Sequence, residues 1–166
     1  MRRGLRPLDL AAAIVVLLCL LALAAMLRER PIAGKAFAID GDTLVVDGRR
    51  IRLVGLDAPE IGQSCEREGR AYRCGEEARA AIRAFIAGEP VTCAAQGRDR
   101  YGRDLATCRV RAQDIGAHLV RSGQAVSFGA YGEEEREARE ARRGIWAGPF
   151  ETPQAWRRRH GVGAPP

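Results

Sequence analysis

Residues 40–60 read DGDTLVVDGRRIRLVGLDAPE. Two β-branched, apolar-rich runs, 43–47 and 50–56, flank Asp47-Gly48. An Asp-Gly pair between such runs is a strong signal for a two-residue hairpin turn. The stretch therefore predicts two antiparallel strands. It also carries the carboxylates Asp40, Asp42, Asp57 and Glu60 together with Arg52, more charge than a solvated hairpin needs. Two bland readings compete with a functional one. DGD can be an Asx-capped turn, and the arginines of RRIRL can line a surface ladder, as expected for Arg49, Arg50, Arg109 and Arg111.

Outward from this hairpin the order of elements continues. A strand at 36–39 precedes it and a loop without periodicity, 61–73, follows it. Residues 75–87, GEEARAAIRAFIA, have acids in the first turn and apolar residues at 78, 82, 85 and 86, which predicts a helix stopped by Gly88. Strands at 91–95 and 105–111 form a second hairpin, followed by a short helix at 115–121 and a surface helix at 133–143. Five strands and three helices in this order predict an α+β, mainly β, fold built on a small closed barrel. The segment from Gly148 onward is expected to be a peripheral basic tail.

The chain has 166 residues, 46% apolar and 29% charged, a balance that excludes a disordered protein. Its formal charge is +6, and Lys35 is the only lysine. Arginine suits a phosphate-bearing partner, although base composition of a genome produces the same bias. The first thirty residues are of another kind: Arg2, Arg3 and Arg6 precede the apolar run LAAAIVVLLCLLALAAML at 10–27. This is the pattern of an uncleaved membrane anchor or of a cleaved signal, with Ala22-Leu23-Ala24 as a candidate cleavage site. Either would export residues 31–147 and the tail 148–166 to the cell envelope, anchored in the inner membrane or secreted. Outside that run, Cys65, Cys74, Cys93 and Cys108 form an even set, expected to pair outside the cytoplasm. Of three possible connectivities, Cys93–Cys108 fits two strands facing each other, and leaves Cys65–Cys74. With no CxxC pair, a thiolate zinc site is not expected.

Three separate motifs, IDGDT at 39–43, IRLVGLDAPE at 51–60 and DRYGRDLAT at 99–107, followed by LVRSGQA at 119–125 and GIW at 144–146, resemble the staphylococcal nuclease (thermonuclease) family. The resemblance runs over about residues 35–147 and implies a five-stranded OB-type barrel with three helices. It implies a Ca²⁺-dependent phosphodiesterase acting on DNA and RNA with little base preference, and a monomer. Asp42, Asp57 and the backbone carbonyl of Ala58 would hold the ion, with Asp40 orienting them without touching it. Hard oxygen donors that leave positions open to water and phosphate suit a catalytic calcium site. Glu60 would act as general base, and Arg52 and Arg103 as guanidinium forks on the scissile phosphate.

Tyr101 would lie beside the nucleotide. The base-stacking aromatic falls in SFGAY, at Tyr131 or Phe128, with Gly129 as the further candidate for the matching position. The other reading is an OB module that binds nucleic acid without cutting it, but such a module is expected to have lost one of Asp42, Arg52, Asp57, Glu60 or Arg103. An EF-hand is excluded, since Leu44 and Val45 stand where a ligand and a glycine would be required. His118 and His160 have no motif partners for another mechanism.

Overall fold

The computed structural model describes residues 13–20, 23 and 31–161. Residues 13–20 are helical and exposed. Among the described residues no helix is long and apolar enough to cross a membrane. Of the anchor expected at 10–27, residues 13–20 and 23 are described and the rest lies outside the described residues.

The body begins at β1 (Ile32–Gly34) and β2 (Ala36–Ala38), followed by the hairpin of β3 (Thr43–Val46) and β4 (Arg49–Leu53). Asp47 and Gly48 both have positive φ, 48° and 78°, as a two-residue hairpin turn of the twist-matching type requires. The turn sets the register, so Val46 faces Arg49 and Thr43 faces Arg52. β8 (Val91–Arg98) and β9 (Asp104–Val110) form the second hairpin, and β9 runs parallel to β4 with Arg52 opposite Leu105.

The strand order is β1-β8-β9-β4-β3-β2. Its two ends, β1 and β2, are separated in the chain by Lys35 alone, so the sheet must curl round and close on itself. The expected five strands are all present. Beyond them the sheet also has β1, a three-residue extension of the first strand that reaches β8.

Leu44, Val46, Ile51, Val91, Cys93, Cys108 and Val110 fill the barrel, each at most 1% exposed. Helix α1 (Cys74–Ile86) adds Ala78 and Ile82, and α2 (Ile115–Arg121), capped by Asp114, adds Ile115 and Leu119. Helix α3 (Gly132–Glu140) is a charged surface helix with only Ala138 buried. Both expected disulfides, Cys65–Cys74 and Cys93–Cys108, are present.

Two departures bear on the site. The loop at 61–73 contains a small hairpin, β6 (Cys65–Arg67) and β7 (Arg70–Tyr72), turned through Glu68 and Gly69 at φ 53° and 73°. The tail, expected to be peripheral, forms helix α4 (Pro153–His160), with Thr152 Oγ1 accepting from Ala155 N, proline at its start and Gly161 at φ 65° after its end. It is held to the body. Gln63, fully buried, donates from Nε2 to the Glu151 carbonyl at 2.6 Å, and the Trp156 ring lies over Gly62. A short 3₁₀ turn, Gly144–Ala147, seats Ile145 beside Cys65 and Cys74, with Trp146 packed edge-on against Phe150.

Candidate active site

The hairpin, the ends of short strand β5 (Leu56–Asp57) and the second hairpin bring the charged residues to one end of the barrel. Asp40 Oδ1 accepts from the backbone N–H of Asp42 (3.0 Å) and Thr43 (2.6 Å). The Asx-turn reading is thus correct for Asp40, and the turn is what aims Asp42 inward. Gly41 is required by close approach, because a Cβ there would lie 2.7 Å from that of Ala58 and 2.9 Å from that of Ala78.

Asp42 and Asp57 are 4% and 3% exposed. Arg52 spans them, donating from Nη1 to Asp42 Oδ1 at 2.5 Å and from Nη2 to Asp57 Oδ1 at 3.0 Å. Ala58 N–H donates to Asp42 Oδ2 at 3.2 Å. Burial pushes the Asp42 carboxyl up to about 7; Arg52 opposes this, while Asp40 and Asp57 add to it. Asp42 meets one guanidinium, that of Arg52, which at this depth does not offset its desolvation, so the pocket is short of positive charge at Asp42.

That shortage is the condition a divalent cation relieves, and the donors are the hard oxygens calcium prefers. Asp42 and Asp57, with the Ala58 carbonyl between strand and loop, therefore fit the ion implied by the resemblance. Among the described residues no group of three or more His, Cys, Asp or Glu side chains could hold a metal, so much of a coordination shell here would come from water and substrate.

Above this pair lies a cleft of about 630 Å³ lined by Asp40, Arg50, Arg52 and Glu60 from the first motifs and by Asp99, Tyr101 and Arg103 from the second hairpin. Asp99 builds the hairpin's tip: its Oδ1 accepts from the N–H of Tyr101 and Arg103, and its Oδ2 from Arg103 Nε at 2.7 Å. Burial disfavours the Asp99 carboxylate, but these donors outweigh it and hold its pKa below the ordinary value. The Tyr101 ring is 59% exposed, with the guanidinium groups of Arg100 and Arg103 against it.

Tyr131 does not line the cleft. Its hydroxyl donates to Asp114 Oδ1 at 3.1 Å and its ring lies against Gly116 and Gly55, with burial and Asp114 pushing its pKa up to about 12. Phe128 is 63% exposed and Gly129 sits at φ 86°.

Three residues with parts here were not anticipated. Arg50, assigned to a surface ladder, is on the cleft wall, as its two-residue spacing from Arg52 on β4 would have indicated. Arg49 is no simple ladder residue either: it forks onto buried Asp104 at 2.9 and 2.8 Å and ties β4 to β9. Arg157, from the tail, donates from Nη1 to Asp57 Oδ1 and Glu60 Oε1, both 2.9 Å, and from Nη2 to Asp57 Oδ2 at 2.8 Å.

Fold and site define a small barrel protein with a carboxylate pair roofed by arginines beside an open cleft, an arrangement fitted to a phosphate group. The family model described as staphylococcal nuclease homologue matches residues 50–148, and the chain belongs to that family. It is 42% identical over 124 residues to the succinoglycan biosynthesis protein ExoI of Rhizobium meliloti (strain 1021), covering 70% of this chain and 65% of that one. It is 32% identical over 179 residues to protein ParB of Escherichia coli, covering 95% and 94%, and 32% identical over 142 residues to a micrococcal nuclease of Shigella flexneri, covering 72% and 76%. Against the ExoI relative and a probable fungal endonuclease, LCL3 of Schizophyllum commune, the chain spans 65% and 46% of their lengths.

Proposed function

We propose that this protein is an exported endonuclease that hydrolyses phosphodiester bonds of DNA and RNA with Ca²⁺ and little base preference. The observation that carries the reading is the convergence of Arg52 and Arg103, from two separate hairpins, with Glu60 on one open cleft above the buried Asp42–Asp57 pair. Relatives named as endonucleases or nucleases support it. Paired cysteines and the apolar N-terminal run support export.

Arg52 and Arg103 bind the scissile phosphate and neutralise the charge that grows on its oxygens as water attacks. Glu60 takes a proton from that water; the new P–O bond forms as the bond to the 5′ oxygen breaks. The leaving oxygen takes a proton from solvent or from an arginine, so one water is consumed and the ends are a 3′-phosphate and a 5′-hydroxyl. Asp42, Asp57 and the Ala58 carbonyl would hold Ca²⁺, which supplies positive charge beside the phosphate. Tyr101 offers its exposed ring and hydroxyl to the neighbouring nucleotide.

The test is incubation of the disulfide-intact protein with plasmid DNA and with RNA, with Ca²⁺ or with chelator. Ca²⁺-dependent cleavage of both is expected. Binding without cleavage would replace the reading by a nucleic-acid-binding module. Neither binding nor cleavage would turn attention to the saccharide chemistry in the name of the ExoI relative.

A further inference from the structure

The family match ends at residue 148, yet one guanidinium from beyond that point grips two of the candidate site residues. Arg157 Nη1 is shared between Asp57 Oδ1 and Glu60 Oε1, and Nη2 closes a fork on Asp57 Oδ2. A planar fork placed in this way fixes the two carboxylates relative to each other. A lysine ammonium, a point charge on a flexible stem, does not reproduce it.

Helix α4 is built to deliver this group. It is capped at both ends, and its foot is tied through Gln63, whose Oε1 accepts from Glu60 N–H while its Nε2 donates to the Glu151 carbonyl. The same buried carboxamide thus joins the loop that carries Glu60 to the helix that carries Arg157. Trp156 packs over Gly62 in that loop. These anchors hold the helix without Arg157, so the arginine is available for the site. It lines the cleft together with Arg52 and Arg103, and its hydrogen bonds to Asp57 and then to Glu60 hold it firmly cationic.

We propose that Arg157 is a positioning residue for phosphodiester hydrolysis, holding Asp57 and Glu60 in one frame, and that helix α4 therefore completes the active site. The proposal rests on the phosphodiesterase reading above. Asp57 keeps Arg52 when Arg157 is removed, so no buried carboxylate is left without a guanidinium and the effect falls on turnover more than on folding.

The experiment compares the full chain with R157A, R157K and the control R159A, whose arginine pairs with Glu151 at the helix foot. Expected for R157A is a fall in kcat of about 100-fold with KM and Tm near wild type, as follows when reacting groups lose their alignment. R157K stays impaired, R159A cleaves normally, and guanidinium salt at tens of millimolar restores part of the R157A rate. Calorimetry with Ca²⁺ alone gives tighter binding to R157A, since a positive charge beside Asp57 is gone.

A kcat for R157A within about threefold of wild type overturns the proposal and leaves the nuclease reading standing. Slower turnover with weaker Ca²⁺ binding and a lower Tm makes Arg157 a structural anchor and overturns it. Faster turnover with tighter Ca²⁺ binding makes the contact a latch that restrains the site, and overturns it too. Absence of cleavage by the wild type removes the nuclease reading and this proposal together.

Discussion

Arg157 and Asp57, one hundred residues apart, are joined by two hydrogen bonds of 2.9 and 2.8 Å. Arg52 reaches the same carboxylate from the opposite side of the sequence, through the register of the first hairpin. Asp57 is consequently the residue on which the three parts of the site meet: the hairpin, the strand end and the C-terminal helix. A buried carboxylate with this many donors has one rotamer open to it, which is what an ion ligand or an electrostatic brace requires.

Arg52 and Arg103 are assigned the same role toward substrate but differ in what they do for the fold. Removing Arg52 leaves buried Asp42 without its guanidinium while Asp57 keeps that of Arg157, so R52A in chelator should lose about 3–5 kcal/mol, and saturating Ca²⁺ should restore part of it. Arg103 pairs with Asp99 at the rim, 21% and 16% exposed at the side chain. R103A should cost about 1 kcal/mol or less while lowering kcat by about 100-fold or more. Urea midpoints and steady-state rates measured on both variants decide this. Equal losses of stability, or an R103A rate within about tenfold of wild type, would mean the two roles are misassigned.

Gln63 is fully buried, and both ends of its carboxamide are used, by Glu60 N–H and the Glu151 carbonyl. Q63A strands those backbone groups and opens a cavity, for an expected loss of about 2–4 kcal/mol. Because the same bonds seat the Glu60 loop against helix α4, hydrogen exchange should quicken in residues 58–63 and 153–160 together. Faster exchange in only one of the two segments would show that Gln63 does not join them.

Why part of this site was legible in the sequence follows from the range of the interactions. Asp47-Gly48 determines its own turn through local φ, and from that turn the register places Arg52 beside Asp42. Such information lies within a few residues. Helix α4 has no apolar stripe, only Pro153 is buried, and what seats it lies about ninety residues earlier, at Gln63 and Gly62. Its local signals were the Thr152-Pro153 start and Gly161, which mark a helix but not where it docks. The Glu68-Gly69 turn was weaker for a similar reason, since its flanking strands of three residues carry no period.

Cys93 and Cys108 face each other directly across β8 and β9, while Cys65–Cys74 ties the small hairpin to the start of α1, where Gly75 crowds the Glu60 carbonyl. Replacing either pair by alanine should cost about 3 kcal/mol. The functional consequence should differ, however. Loss of Cys65–Cys74 loosens the loop bearing Glu60 and should lower kcat at temperatures where the protein is still folded. Loss of Cys93–Cys108, 0% and 1% exposed in the barrel, should lower Tm and leave kcat near wild type. Equal kcat values for the two variants at a temperature where both are folded would count against a link between the first bridge and the site.

Asp42 also makes stability depend on pH in a definite direction. In the folded, cation-free protein its carboxyl is held at about 7, against an ordinary 3.8, chiefly by burial. Between those values the folded state keeps a proton that the unfolded chain has released, so this contribution is complete below about pH 4 and is lost as pH rises through about 7. His118 works in the opposite sense. Burial and Arg121 hold its ring below 6.5, so folding disfavours its protonation and stability from this group falls as pH drops. The part due to Asp42 is therefore read as a difference between wild type and D42N, in chelator, from about pH 5 to about pH 8. Wild type should lose more Tm over that range than D42N does. Ca²⁺ in fixed excess should then raise the wild-type Tm more at the alkaline end, where the carboxylate is already ionised and no proton has to be displaced. Parallel Tm curves for the two proteins in chelator would show that Asp42 does not hold that proton, and a Ca²⁺ increment independent of pH would show that it does not meet the cation.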